Sequence, residues 1–363
     1  MRPVTRLVAN TLRLIVAILL CWFIVTAVFV VGWVARLSRR AAIRKLLRRK
    51  GRVSVQAASD RDEIFARNAG WPGWVAAPAG FRNGVGGWLG GIWENLKLGL
   101  ACLVPTLIVT APAGVLWLLS WWGGWNNSFN KGYEQSWVGP AVGLTGILFW
   151  LAVTPLIPLA QARVAVTGDW RTFFGLRVLR RIAARQRRRL FLLAVVAVGC
   201  ALWLLFVRAM PSFVLQNQIA NFEQMNADDL QRLSFVFYLA TGAVMFAGFL
   251  LLHVWAARIY ATGLDRAIQG GFLDAGQLHE NERHLLRAVE EAPARDGAAP
   301  RVSGRAHGAV RGLNAALAAP LTIFGWFLVA ALLYVAQFLL YAPENWLVHP
   351  AIHLPWVRVF GVG

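Results

Sequence analysis

His253 stands near one end of a long apolar stretch, FLLLHVWAAR, whose central part holds no Asp, Glu, Lys or Arg. An imidazole in such a setting has two chemistries. It can be the single axial ligand of a haem or chlorophyll metal. Alternatively it stays neutral and hydrogen-bonds to a neighbouring helix, as polar groups held in a bilayer must. No second histidine lies in an apolar stretch, so a bis-histidine haem has no ligand set.

Other histidines fit metal chemistry less well. His279 and His284 in HENERH are five residues apart, about 140° round a helix, whereas zinc ligation from one helical face needs i and i+4. His349 and His353 have the i,i+4 spacing, but Pro350 and Pro355 interrupt the helix it requires and no third ligand is in view. Cys21, Cys102 and Cys200 each lie inside an apolar run, far from any CxxC spacing, and read as small buried hydrophobes. Gly84 and Gly86 resemble the start of a dinucleotide loop, but the third glycine position is Leu89 and no strand precedes them. No GxSxG elbow or phosphate-binding Walker loop is present. Asp169, Asp265 and Asp274 are the loop acids open to an enzyme acting on lipid-linked substrates.

The remaining chemistry is that of contact. ARLSRRAAIRKLLRRKGR carries Arg39, Arg40, Arg44, Arg48 and Arg49 among Leu and Ile, which suits a surface helix on anionic headgroups; each such cation contributes about 1 kcal/mol. Arg177, Arg181, Arg185 and Arg188 repeat at 4-4-3 spacing and predict a second basic face. Read as a helix from Phe81, Gly80, Gly84, Gly87 and Gly91 also recur at 4-3-4 spacing, the pattern that lets another helix approach closely. That Gly/Trp-rich segment is polar enough to be interfacial or re-entrant. The Trp- and Asn-rich stretch from Trp121 to Trp137 suits a sugar or quinone ring, or an ordinary interfacial belt.

These groups need elements to hold them. Of 363 residues 58% are hydrophobic and only 15% charged, against about a quarter charged in soluble domains. Apolar runs predict an all-α polytopic integral membrane protein with six transmembrane helices, at about 14–34, 98–122, 137–160, 190–207, 234–256 and 318–341. Asn226 or Asp228 is placed to cap the fifth. Pro105, Pro112, Pro140, Pro155 and Pro158 predict kinks in the second and third. Residues 35–97 form a basic and interfacial segment, 257–312 a loop ending in an Ala/Gly/Pro-rich linker, and 342–363 an interfacial tail.

The net charge of +20 would suggest nucleic acid in a soluble chain. Here 30 of the 37 Lys and Arg fall on alternating loops of one side. That bias orients a membrane protein with those loops in the cytoplasm, and both termini outside. The charge therefore reads as topology, with no nucleic-acid partner. Arg outnumbers Lys 33 to 4, which suggests a GC-rich bacterial source and its cytoplasmic membrane.

The expectation is a non-catalytic accessory or scaffold protein, bound to anionic lipid and to other membrane subunits, with no resident cofactor unless His253 holds one. A transporter or channel lined by the kinked helices is the alternative. An enzyme using the loop acids is a further one.

Overall fold

A computed structural model describes residues 11, 14–52, 84–129, 137–210, 226–292 and 352–355. Those residues are overwhelmingly helical, with no strand among them. The longer helices are α1 (Ile24–Arg49), α2 (Gly84–Phe129), α3 (Val138–Val153), α4 (Ile157–Thr167), α5 (Leu176–Ala184), α6 (Arg187–Met210), α7 (Ala227–Gln269) and α8 (Glu280–Glu291). Short 3-10 turns, Trp170–Phe174 and Ala275–Gln277, precede α5 and α8. The expected sixth span, 318–341, and Gly80 lie outside the described residues.

Two helical stretches among these residues, Leu89–Ser120 and Ala227–Gln269, are long and apolar enough to cross a membrane. A third counts if α3 and α4, bent by 44° at their junction, form one span. This is fewer than the six expected; one of the six, 318–341, falls outside the described residues, and the first is interrupted by local structure. Residues 14–34 are not one helix: the chain turns at 21–23, and α1 starts afresh at Ile24. The Thr26 hydroxyl bridges that break by donating to the carbonyls of Leu20 and Phe23. No proline or glycine marks the spot. From Ile24 the helix runs unbroken into the basic segment, because Arg, Lys, Leu and Ala between Ala35 and Arg49 are good helix formers. The expected surface helix is thus the end of α1.

From Gly84 onward the Gly/Trp-rich segment is likewise not a separate helix. It is the first part of the 46-residue α2. A glycine in a helix costs only about 1 kcal/mol, which packing against α1 outweighs. Further on, the Thr106 and Thr110 hydroxyls donate to Cys102 O and Thr106 O, each one turn back. They add bonds where Pro105 and Pro112 each remove an N–H from the ladder. Pro155 does break its helix, and Pro158 sits in the first turn of the next, where its missing N–H has no partner to lose.

α1 and α2 touch backbone to backbone. A Cβ on Gly32 would overlap the carbonyl oxygen of Asn95, and one on Gly99 that of Val28. This close approach uses Gly32 and Gly99. α1 and α7 run parallel: Trp33 stacks on Phe246 with centroids 5.8 Å apart, and farther along both helices Arg49 meets Asp265. Every residue of α4 is buried, which makes it the centre of the bundle rather than the start of a loop. Around it lie Trp150, Phe246, Phe249 and Tyr260.

Candidate functional site

Gln161 on α4 organises the interior. Its Nε2 donates to Thr106 Oγ1 on α2 at 2.9 Å and to the main-chain oxygen of Ile352 at 2.7 Å. Its Oε1 lies 2.9 Å from His253 Nε2 on α7. The other ring nitrogen of His253, Nδ1, lies 2.8 Å from Phe249 O, and the Phe249 ring packs against the imidazole at a tilt, with centroids 4.0 Å apart. Both nitrogens thus face protein oxygens, and neither is directed at an axial metal position. The geometry matches the interhelix reading of His253 and does not fit the haem or chlorophyll reading.

His353 joins the same network, with Nε2 2.8 Å from Thr110 Oγ1. Ile352, His353 and Leu354 are buried, so this part of the chain is folded into the bundle rather than spread along its outer interface. Chemically, the assembly is a set of hydrogen bonds crossing α2, α4, α7 and residues 352–355.

A second buried assembly joins α4 to α8. The Arg163 guanidinium grips Glu282 through two bonds, Nε to Oε1 at 2.8 Å and the second fork nitrogen to Oε2 at 3.1 Å. The Glu282 side chain is 0% exposed and that of Arg163 5%, so water contributes little and the pair must be satisfied internally. Tyr260 donates a short bond to the same carboxylate, and the His279 amide donates to it at 2.8 Å. Arg163 also reaches the carbonyls of Thr172 and Gly175.

His279 begins α8 as its N-cap, its Nδ1 accepting from the Asn281 amide while Glu282 closes the capping box. The HENERH sequence is therefore a helix start. Among the described residues no group of three or more His, Cys, Asp or Glu is placed to hold a metal ion.

The acids considered for catalysis have structural partners. Asp265 is buried and pairs with Arg49 at 2.6 Å, with Lys50 at 3.7 Å and with Gln269. Asp169 caps the 3-10 turn by accepting from Arg171 N, and lies 3.5 Å from His279. Asp274 accepts a long bond from Gln277.

The basic residues divide. Arg39 and Arg40 are half-buried, whereas Arg44 and Arg48 are exposed and Arg49 is committed to Asp265. Arg177, Arg181, Arg185 and Arg188 are all exposed. They do not share one helix, because the chain breaks after Ala184 and Arg188 belongs to α6. On α5 the opposite face, Val178, Leu179 and Ile182, is buried. Arg181 bonds to Gln277, and Arg185 stacks 3.3 Å over the Phe272 ring. Exposed Trp170, Phe174, Leu176 and Phe272 belong to the same region of the chain fold. Of the glycine ridge, Gly84, Gly87 and Gly91 are on α2; at neighbouring Gly90 an added Cβ would meet nothing within 4 Å.

Sequence reading missed Gln161, Arg163, Tyr260 and Glu282. By sequence, Arg163 falls just after the third expected span and Glu282 within the 257–312 loop, where nothing marks either as buried. The one available signal was Glu282 three residues after a helix-starting His279, the capping-box spacing.

Among the described residues these features define an all-helical architecture with two or three helices long and apolar enough to cross a membrane. No protein-family model matches the chain, and neither a curated protein nor a solved structure matches it.

Proposed function

We propose that the chain is a non-catalytic accessory or scaffold protein of a bacterial cytoplasmic membrane, crossing it six times with both termini outside. It holds anionic lipid at its basic face and packs against other membrane subunits. The observation that carries this reading is the contrast between interior and surface. The polar groups at the centre spend their hydrogen bonds on one another, while the basic residues face outward. Arg44, Arg48, Arg177, Arg181, Arg185 and Arg188, beside exposed Trp170, Phe174, Leu176 and Phe272, suit headgroups above and acyl chains below. The open side of α2 near Leu89, Gly90 and Trp93 suits a partner helix lodged on Gly84, Gly87 and Gly91. The parallel course of α1 and α7 agrees with an orientation that takes both from outside to inside.

The test is purification of the native protein in mild detergent. The scaffold reading expects other membrane subunits and anionic phospholipid to co-elute with it. A monomer eluting alone, while other complexes of that membrane survive, contradicts it. A reporter fused after Gly363 tests orientation separately, since activity confined to the cytoplasm overturns it.

One observation favours a second reading, a channel or transporter for a small solute. Thr106 and Thr110 stand beside Pro105 and Pro112, and pair across the bundle with Gln161 and His353. Polar residues on kinked helices are what a solute path requires. Solute flux into vesicles holding the pure protein, lost in Gln161→Leu, would favour this reading.

A further inference from the structure

Beyond the arginine rows, cations from three helices converge. α1 brings Lys45, Arg48 and Arg49, with Lys50 capping it; α6 brings Arg189, and α7 brings Arg258 and Arg266. Arg49 and Lys50 pair with Asp265, and Lys50 with Glu290 at 3.5 Å. Two carboxylates against seven cations leave a strong positive excess. Burial, and then the nearby Arg189, Arg49, Arg258 and Arg48, pull the Lys45 ammonium below its ordinary value. Arg49 and Arg189 also stand close to Arg266.

The arrangement is built by packing. The turn ahead of Arg189 lies against α7, where a Cβ on Gly263 would press on Ile182 and Gln186. Glycine at 263 thus lets the turn between α5 and α6 pack against the part of α7 that carries Arg258 and Arg266. Like charges gathered from three elements make a positive field that draws an anion into their midst.

Depth narrows the anion. Arg189 is the last residue before the apolar run of α6, and Arg258 the first cation after that of α7. Both therefore lie at the level of headgroup phosphates, with Lys45 and Arg48 reaching farther from the apolar zone along α1.

Resting on the lipid-binding reading above, we infer that Lys45, Arg48, Arg189, Arg258 and Arg266 form one site for a multiply charged phosphate, carried by a lipid whose headgroup is a phosphomonoester or diphosphate. Single-charge phosphodiester lipids satisfy fewer of these cations and bind less tightly.

The full-length protein in neutral detergent is titrated with phosphatidic acid bearing a fluorescent acyl chain, with phosphatidylglycerol, a singly charged phosphodiester, and inorganic pyrophosphate as competitors. Phosphatidic acid is expected to bind at least about tenfold more tightly than phosphatidylglycerol. Substituting Lys45→Gln, Arg189→Gln and Arg258→Gln together removes that preference. Arg171→Gln, Arg232→Gln and Arg287→Gln, three exposed positions elsewhere, change the charge equally and retain it. If the first triple variant does not fold, Arg189→Gln alone, an exposed position, is expected to weaken binding severalfold. Equal losses in both triples, or no loss in Arg189→Gln, overturn the site. Pyrophosphate binding as tightly as the lipid overturns the lipid as its occupant. Co-elution of partner subunits is read independently, so failure here leaves the scaffold reading standing or falling on its own test.

Discussion

Arg163 and Glu282, 119 residues apart in sequence, meet as a two-bond ion pair shut away from solvent. The pair ties the central helix α4 to the short amphipathic α8. Tyr260 and the His279 amide complete the carboxylate's bonds, so each charge is fully used within the protein.

Glu282→Gln is expected to destabilise the protein by about 3–5 kcal/mol, the usual cost of leaving one partner of a buried pair alone. Thermal unfolding in detergent measures it. Glu280→Gln, on the exposed side of the same helix, should stay within about 0.5 kcal/mol. Equal effects from the two substitutions would show that the pair does not hold α8.

Gln161→Leu removes the amide that joins Thr106, His253 and Ile352. The expected loss is about 1–3 kcal/mol, because buried partners are left unsatisfied. A double-mutant cycle with His253→Leu should give a coupling of about 0.5–3 kcal/mol. Strict additivity would mean that the two side chains do not interact.

Gly99→Leu should force α1 from α2 and lower stability by at least about 1–3 kcal/mol, as overpacking does, since even a Cβ there overlaps the Val28 carbonyl. Gly90→Ala faces open space and should stabilise by up to about 1 kcal/mol through helix propensity. Melting temperatures of the two variants should therefore move in opposite directions. Movement in the same direction would contradict the α1–α2 contact.

The helical character of the chain was legible in its apolar runs, and so were two local details. Asn226 caps α7 by accepting from the Asp229 amide at 2.8 Å, and His253 bonds to a neighbouring helix. Both depend on residues close in sequence or on a rule about polar groups among apolar ones. The turn at 21–23 carries no proline or glycine, so no residue type announced it. The fusion of the basic segment with α1 followed from the absence of any breaker, and that of the Gly/Trp segment with α2 from packing that outweighs its glycines, neither of which shows when charge alone divides a chain. Gln161 and Arg163 were hardest to place. Their partners lie on α2, α7 and α8 and at Ile352, and no periodic pattern links residues so far apart.

Conserved chemistry is not needed for the central claim, which concerns association. Its most direct measurement is the mass and composition of the native protein extracted in mild detergent. The account predicts a particle heavier than the monomer, containing other membrane subunits and anionic phospholipid. A lone, lipid-free monomer, under conditions that preserve neighbouring complexes, would contradict it.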